Sequence, residues 1–293
     1  MMHKSGFVNI IGNPNVGKST LMNALVGERL SIITSKAQTT RHRILGIVND
    51  DDHQIVFSDT PGVLEPAYKM QESMMTFVKS ALTDADVILF MVEVKENKFK
   101  DENILNSLKK TDTPIILLIN KIDEVDQAFL ESKVDFWKAE IPKAEIYPLS
   151  ALHNFNIENI FARIKELLPE GEPFYDKDAL TDKPEKFFVS EIIREKILLN
   201  YKKEVPYSCE VIIEEFKEKE DIIHIRANII VARDSQKGIL IGHQGKELKK
   251  VGTLARKDIE TFFAKKVFLE LYVKVNKDWR NDDNMLKRFG YNH

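Results

Sequence analysis

The sequence predicts two domains: an α/β domain built on a doubly wound, mostly parallel sheet, then a smaller α+β domain. Three observations carry this. The chain has 293 residues, enough for roughly two domains at about 100–200 residues each. From Phe7 to Leu168, short β-branched runs alternate with longer amphipathic stretches, the order that gives a parallel sheet with helices on its faces. After Pro169-Glu170-Gly171-Glu172-Pro173 and a polar stretch to Lys183-Pro184, the order changes to helix, two strands, two helices and a strand. The expected division is 1–169, a linker at 170–184, and 185–293.

In the first part, Phe7–Ile11 reads as a strand running into a Gly-rich turn and a helix over Ser19–Val26. Arg43–Val48 and Gln54–Phe57 flank Asn49-Asp50-Asp51-Asp52, which reads as a hairpin turn. Val87–Val92 and Ile115–Ile119 are continuous apolar runs, as in strands buried on both faces. Helices are expected near Glu102–Lys110, Phe129–Ala139 and Ile157–Leu168. In the second part, a helix over Phe187–Asn200 precedes strands at Cys209–Phe216 and Ile222–Val231. A short apolar piece then ends at Ile241, followed by the turn Gly242–Gly245, a helix over Lys246–Phe263 and a strand over Val267–Val275. Partial alternation in the first two strands suggests a half-buried antiparallel sheet.

Composition excludes several classes. Lys and Arg number 43 against 46 Asp and Glu, a formal charge of −3. That total hides a split: residues 1–184 carry 21 basic against 28 acidic, and residues 185–293 carry 22 against 18, so the second part is the one suited to an anionic partner. The single cysteine, Cys209, excludes an intrachain disulfide framework and a Cys-cluster zinc site, and fits a reducing compartment. Met1 to Gly6 show no apolar core of a signal peptide, and no apolar run approaches the ~18–20 residues of a bilayer span. A cytoplasmic protein, at most peripheral to a membrane, is expected.

Gly12-Asn13-Pro14-Asn15-Val16-Gly17-Lys18-Ser19 fits G-x-x-x-x-G-K-[ST] between a strand and a helix. The glycines let main-chain N–H groups turn toward phosphates, Lys18 reaches the outer phosphates, and Ser19 offers an oxygen to Mg²⁺; a plain glycine turn with a chance lysine is the bland alternative. Asp59-Thr60-Pro61-Gly62-Val63 follows a strand, so the Asp59 carboxylate could hold Mg²⁺ through water and the Gly62 N–H could approach a terminal phosphate. Asn120-Lys121-Ile122-Asp123 also follows a strand. Asp123 can accept two hydrogen bonds from guanine N1–H and its 2-amino group, a donor pair adenine lacks. Asn120 can brace the loops, the Lys121 stem can lie over the base, and Ser150-Ala151 could bring an N–H to the guanine carbonyl. Together, at strand ends in this order, these strings imply a guanine nucleotide on the sheet's C-terminal edge. Gln38-Thr39-Thr40-Arg41-His42-Arg43 reads as a mobile loop completing the Mg²⁺ shell when a γ-phosphate is present. Thr40 is the expected ligand with Thr39 its neighbour, a choice left open.

These strings, Lys36-Ala37-Gln38-Thr39-Thr40-Arg41-His42-Arg43-Ile44 above all, resemble the Era family of translation-factor-related GTPases. The resemblance implies a P-loop GTPase domain converting GTP to GDP and phosphate, with Lys18, Thr40 and Gly62 at the chemistry, and a monovalent cation, K⁺, at Asn15. Val63 stands where Ras-type enzymes carry a water-orienting glutamine, so a slow intrinsic rate is expected, accelerated by a partner.

Ile241-Gly242-His243-Gln244-Gly245-Lys246 is a G-x-x-G loop between helix-like segments, and residues 233–266 hold nine Lys and Arg, Lys249 and Lys250 among them, against four acids. Such a loop lets a nucleic-acid backbone come close, as in KH domains; a solvated basic helix face is the alternative. The element order is similar to a type II KH domain, and the Era resemblance extends through Leu269–Val275 and Asp278-Trp279-Arg280. Phe262, Phe263 and Phe268 are expected in the core. Tyr201, Lys202 and Lys203 could face RNA but are given no role, and neither are Tyr291 and His293 in a frayed end.

The resemblance implies a monomer that binds the 3′ end of small-subunit ribosomal RNA as a single strand and assists maturation of the small ribosomal subunit, with contact at the inner face of the membrane. Two rivals stay open: a constitutive RNA-binding protein whose guanine nucleotide is a structural ligand, and a GTPase relay acting on a protein or membrane partner.

Overall fold

The computed structural model describes residues 3–291, so Met1, Met2, Asn292 and His293 lie outside the described residues. The chain forms two compact units that divide between Asp182 and Lys183, with Tyr68–Met70 grouped with the second.

The first unit holds a six-stranded sheet in the order β2-β3-β1-β4-β5-β6: β2 Ile44–Asn49, β3 His53–Asp59, β1 Lys4–Gly12, β4 Val87–Glu93, β5 Ile115–Asn120 and β6 Glu145–Pro148. All neighbours are parallel except the β2–β3 hairpin. Its turn is closed by Asp50, whose carboxylate accepts from the N–H groups of Asp52 and His53 at 3.0 and 2.6 Å. β4 and β5 are buried because helices cover both faces. On one face α1 (Lys18–Val26) and α5 (Ile157–Leu167) insert Leu21, Leu25, Ile160 and Ile164 between Val8, Ile10, Leu89 and Leu118. On the other, Trp137 of α4 (Gln127–Glu140) meets Phe90 of β4 edge-on at 5.8 Å. α3 spans Glu102–Lys110 and is capped by Asp101, whose carboxylate accepts from two N–H groups.

Two elements of the first unit, a helix and a strand, lie outside the sequence reading. α2 (Lys69–Thr83) buries Met70, Met74, Phe77, Val78 and Ala81, a helical spacing already present in the sequence. β6 is only four residues long and half-buried, too short to stand out. The stretch read as a linker is also bonded to the sheet. Gln54 accepts from the N–H groups of Phe174 and Tyr175 at 2.6 and 2.9 Å, and the Ile47 N–H of β2 donates to Leu180 O at 2.8 Å. Chain from this stretch therefore covers the free edge of β2, whose unpaired polar groups need partners.

In the second unit, α6 (Glu185–Asn200) and α8 (Lys246–Phe263) lie on a three-stranded sheet, β7 (Cys209–Glu218), β8 (Ile222–Val231) and β9 (Lys266–Val275), in that order. The sheet is mixed, not antiparallel: β7 and β8 are antiparallel, β8 and β9 parallel. The chain between β8 and β9 passes through two helices, α7 (Asp234–Ile241) and α8, and such a crossover returns the next strand in the same direction. Val189, Ile193 and Ile197 meet Val251, Ala255 and Ile259 over Ile223, Ile225 and Ile229 to form the core.

The aromatics divide. Phe263 packs on that core beside Phe216, whereas Phe262 and Phe268 are 41% and 49% exposed. The core stripe of α8 leaves Phe262 at its rim, stacked on Phe188, and strand alternation puts Val267 inward and Phe268 outward beside His224. Nor is Tyr291 frayed: it follows α9 (Asp283–Arg288), is buried, and donates its hydroxyl to Glu210 at 2.6 Å.

Candidate functional site

Parallel register brings the C-terminal ends of β1, β3, β4, β5 and β6 to one edge, with Ile10 opposite Asp59, Glu93 opposite Asn120, and Ile119 opposite Pro148. A cleft of about 610 Å³ opens there, lined by Pro14, Asn15, Gly17, Lys18, Ser19, Thr40 and Gly62 from the phosphate-loop side, and by Asn120, Lys121, Asp123, Ser150 and Ala151 from the other. Residues distant in sequence thus share one site.

Gly17 has φ 106° and initiates α1; a side chain there would run into the Asn120 amide. Lys18 Nζ donates to Gly12 O at 3.0 Å and Asn13 O at 2.8 Å, and burial lowers its pKa to about 8. Val16 is buried and its carbonyl accepts from Asn120 Nδ2 at 2.7 Å, while Asn120 Oδ1 accepts from the Ala151 N–H at 2.9 Å. The Ser150 hydroxyl beside Asp123 holds that exposed carboxyl below its usual range. Lys121 Nζ pairs with Glu93 at 2.6 Å.

Three oxygens converge beside Lys18. Ser19 Oγ lies 2.7 Å from Asp59 Oδ2 and 2.9 Å from Thr40 Oγ1, and Thr40 Oγ1 lies 3.3 Å from Asp59 Oδ2. Burial pushes the Asp59 carboxyl up, and its Oδ1 is buried with no hydrogen-bond partner among the described residues. Hard oxygens with a spare buried acceptor suit a hard divalent cation with its waters. Thr39 turns the other way: its hydroxyl donates to Lys36 O and lies 2.6 Å from Thr34 Oγ1. Thr60 donates its hydroxyl to Ile10 O at 2.7 Å, which fixes the loop through Pro61 to Gly62. Val63 is fully buried, and its N–H donates to Gly12 O at 3.1 Å, so its side chain points away from the cleft it was expected to line. Asn15 is exposed, with φ 66°, and its amide donates to Ser35 O at 3.0 Å.

In the second unit, α7 ends at Ile241, and Gly242, Gln244 and Gly245 take φ values of 70°, 51° and 76° before α8 starts at Lys246. His243, Gln244, Lys246, Lys249 and Lys250 are exposed, opposite the buried Val251–Ala255–Ile259 stripe. Tyr201 is not at the surface: it is buried, its hydroxyl donates to Leu240 O at 2.7 Å, and burial pushes its pKa to about 12. It steadies the helix leading into the loop.

Residues 7–121 match the family model of the 50S ribosome-binding GTPase, and residues 204–280 match that of the KH domain. A solved structure of Era with MgGDPNP and nucleotides 1506–1542 of 16S ribosomal RNA is 41% identical to this chain, covering 99% of it and 100% of the other, at a TM-score of 0.95. The chain belongs to the Era family of GTPases. A variant of Aquifex aeolicus Era bound to GDP·AlF4⁻ is also 41% identical, covering 99% and 100% of the two chains, at a TM-score of 0.94.

The sequence reading missed several residues that frame this Era-type site. Asn23 of α1 clamps the start of the loop that leads to Thr40: its Oδ1 accepts from the Leu30 and Ser31 N–H groups at 3.0 and 2.9 Å, and its Nδ2 donates to Ser31 O at 2.8 Å. Arg43 fixes the other end, reaching Asp84 with both terminal nitrogens and Ser58 Oγ with Nε at 2.7 Å. Asn23 stands four residues after Ser19 on one helix face, the single signal that could have found it.

Proposed function

We propose that this chain binds GTP·Mg²⁺ in the cleft, hydrolyses it to GDP and phosphate, and uses the second unit to hold single-stranded RNA from the 3′ end of the small-subunit ribosomal RNA during maturation of that subunit. The convergence of Ser19, Thr40 and Asp59 beside Lys18 carries the first half. Ser19 and Thr40 would ligate Mg²⁺ directly and Asp59 through water; the ion supplies charge neutralisation across the β- and γ-phosphates. Lys18 places its ammonium on the outer phosphates, and the N–H groups of Asn15 to Lys18 cradle them. Thr40, which already meets Ser19 and Asp59, would be held on the ion by a γ-phosphate that fixes its loop, and the Gly62 N–H would approach that phosphate. Asp123 reads guanine, with Lys121 along the base and Ala151 at its carbonyl edge.

An attacking water bonds to phosphorus while the β–γ bridging oxygen leaves on GDP. With Val63 turned into the core, no side chain at that position orients the water, which favours a slow intrinsic rate and an external accelerator. A potassium ion at Asn15 would add charge beside the phosphates. Hydrolysis belongs to residues 1–169 and the RNA grip to 185–293, where Ile241–Lys246, Lys249 and Lys250 would face the strand. A cytoplasmic monomer touching the membrane only peripherally completes the reading, on the strength of the family; no helix among the described residues is long and apolar enough to cross a membrane.

The test is phosphate release from GTP with and without an oligonucleotide of the RNA 3′ end, in K⁺ and in Na⁺. Turnover with GTP but not ATP supports the reading. Nucleotide that binds and never turns over would favour a structural guanine nucleotide instead.

A further inference from the structure

Asn13, the second residue of the phosphate loop, is 2% exposed, and its side chain is held wholly by the connection between β4 and α3. Its Nδ2 donates to Glu96 Oε1 at 3.0 Å and to Lys98 O at 3.4 Å, and its Oδ1 accepts from the Lys100 N–H at 3.3 Å. Glu96 is itself fixed, its Oε2 accepting from the Glu93 N–H at 3.1 Å. What this brace holds matters for the chemistry. Asn13 O accepts from Lys18 Nζ at 2.8 Å, and Pro14, the next residue, forms the wall beside Gly62: a Cβ on Gly62 would stand 2.6 Å from Pro14 Cα and 2.8 Å from its N. The terminal phosphate must fit where Lys18, Gly62 and this wall meet.

We propose that Glu96 is a positioning residue for GTP hydrolysis, acting through the Asn13 side chain to set the Asn13-Pro14 wall against Gly62. The inference rests on the assignment of GTP hydrolysis to the Lys18 cleft. Glu96 touches neither the guanine loop nor the Ser19–Thr40–Asp59 cluster, and its charge reaches nucleotide capture only through Lys18. With GDP affinity read at pH 6.5, where Lys18 is an ammonium, its effect therefore falls on the step that needs the γ-phosphate aligned. Small misplacements at a reacting centre slow a reaction far more than they weaken binding.

The experiment is a cycle of Glu96→Ala, Asn13→Ala and the double variant in the full chain, read by single-turnover GTP hydrolysis and by GDP affinity. The expected result is a loss of about tenfold in rate for each single variant, no further loss in the double, and, for Glu96→Ala, GDP affinity within about twofold of the parent. An unchanged rate, additive losses, or an equal fall in affinity and in rate per bound nucleotide overturns the proposal. Should Glu96→Ala fail to fold, Glu96→Leu, close in size and without an acceptor for Asn13, replaces it in the cycle with the same expected and overturning results. A parent protein without GTP turnover would overturn the functional assignment itself, a result distinct from any of these.

Discussion

Asn120 donates to Val16 O at 2.7 Å, which fastens the Asn120–Asp123 loop to the Gly12–Ser19 loop. Its other amide atom accepts from Ala151, so one buried side chain fixes three segments. Asn120→Ala leaves a buried carbonyl and a buried N–H without partners, each worth about 1–3 kcal/mol. The expected outcome is a lower melting temperature together with weaker GDP binding; calorimetry that finds both unchanged would contradict this role.

Asp123→Asn exchanges the acceptor pair for one acceptor and one donor. Guanine N1–H and the 2-amino group then lose a partner, whereas xanthine, with a carbonyl at that position, gains one. Preference for GDP over XDP should fall by at least about a hundredfold, read by competition binding.

The lowered pKa of Lys18, about 8, makes nucleotide capture depend on pH. Phosphate binding needs the ammonium form, which is present below that value and lost as the pH rises through it. Affinity for GDP should be flat from pH 6.5 to 7.5 and then weaken, approaching about tenfold per pH unit above 8.5. Lys18→Arg, whose guanidinium keeps its charge, should flatten the profile even where its affinity is poorer. A parent profile with no break near pH 8 would show that the cation is not what holds the phosphates.

Replacing His243 and Gln244 with Asp places two negative charges at the tip of the Gly242–Gly245 loop, whose side chains are exposed and contribute nothing to the core. Binding of an oligonucleotide from the RNA 3′ end should drop by at least about tenfold, with melting temperature and GTP turnover unaltered. Binding by the parent should itself weaken steeply with salt if phosphates are the contact.

The parts of this molecule that follow from local rules were legible in the sequence. The Gly12–Ser19 string, the buried runs of β4 and β5, and the helix from Lys246 to Phe263 stand where their patterns place them. What escaped depends on tertiary pairing. The direction of β9 is decided by two intervening helices rather than by its alternation, and the exposure of Phe262 by where the stripe of α8 ends. Tyr291 finds Glu210 across a sequence separation of 81 residues, which no periodicity can express. The same is true at the site: Lys18 announces itself by motif, whereas Asn23, Arg43 and Glu96 are ordinary polar residues until the fold brings them to their partners.

The moorings of Ser31 on α1 and of Arg43 on the sheet leave residues 32–42 as the span of chain between two fixed posts. Fully stretched, such a span reaches only roughly 36–40 Å, so its tip sweeps a bounded arc however the nucleotide changes. A macromolecule that senses whether the third phosphate is present by way of this segment has to sit within that arc. A footprint confined to the far end of the sheet would therefore be silent to the state of this loop.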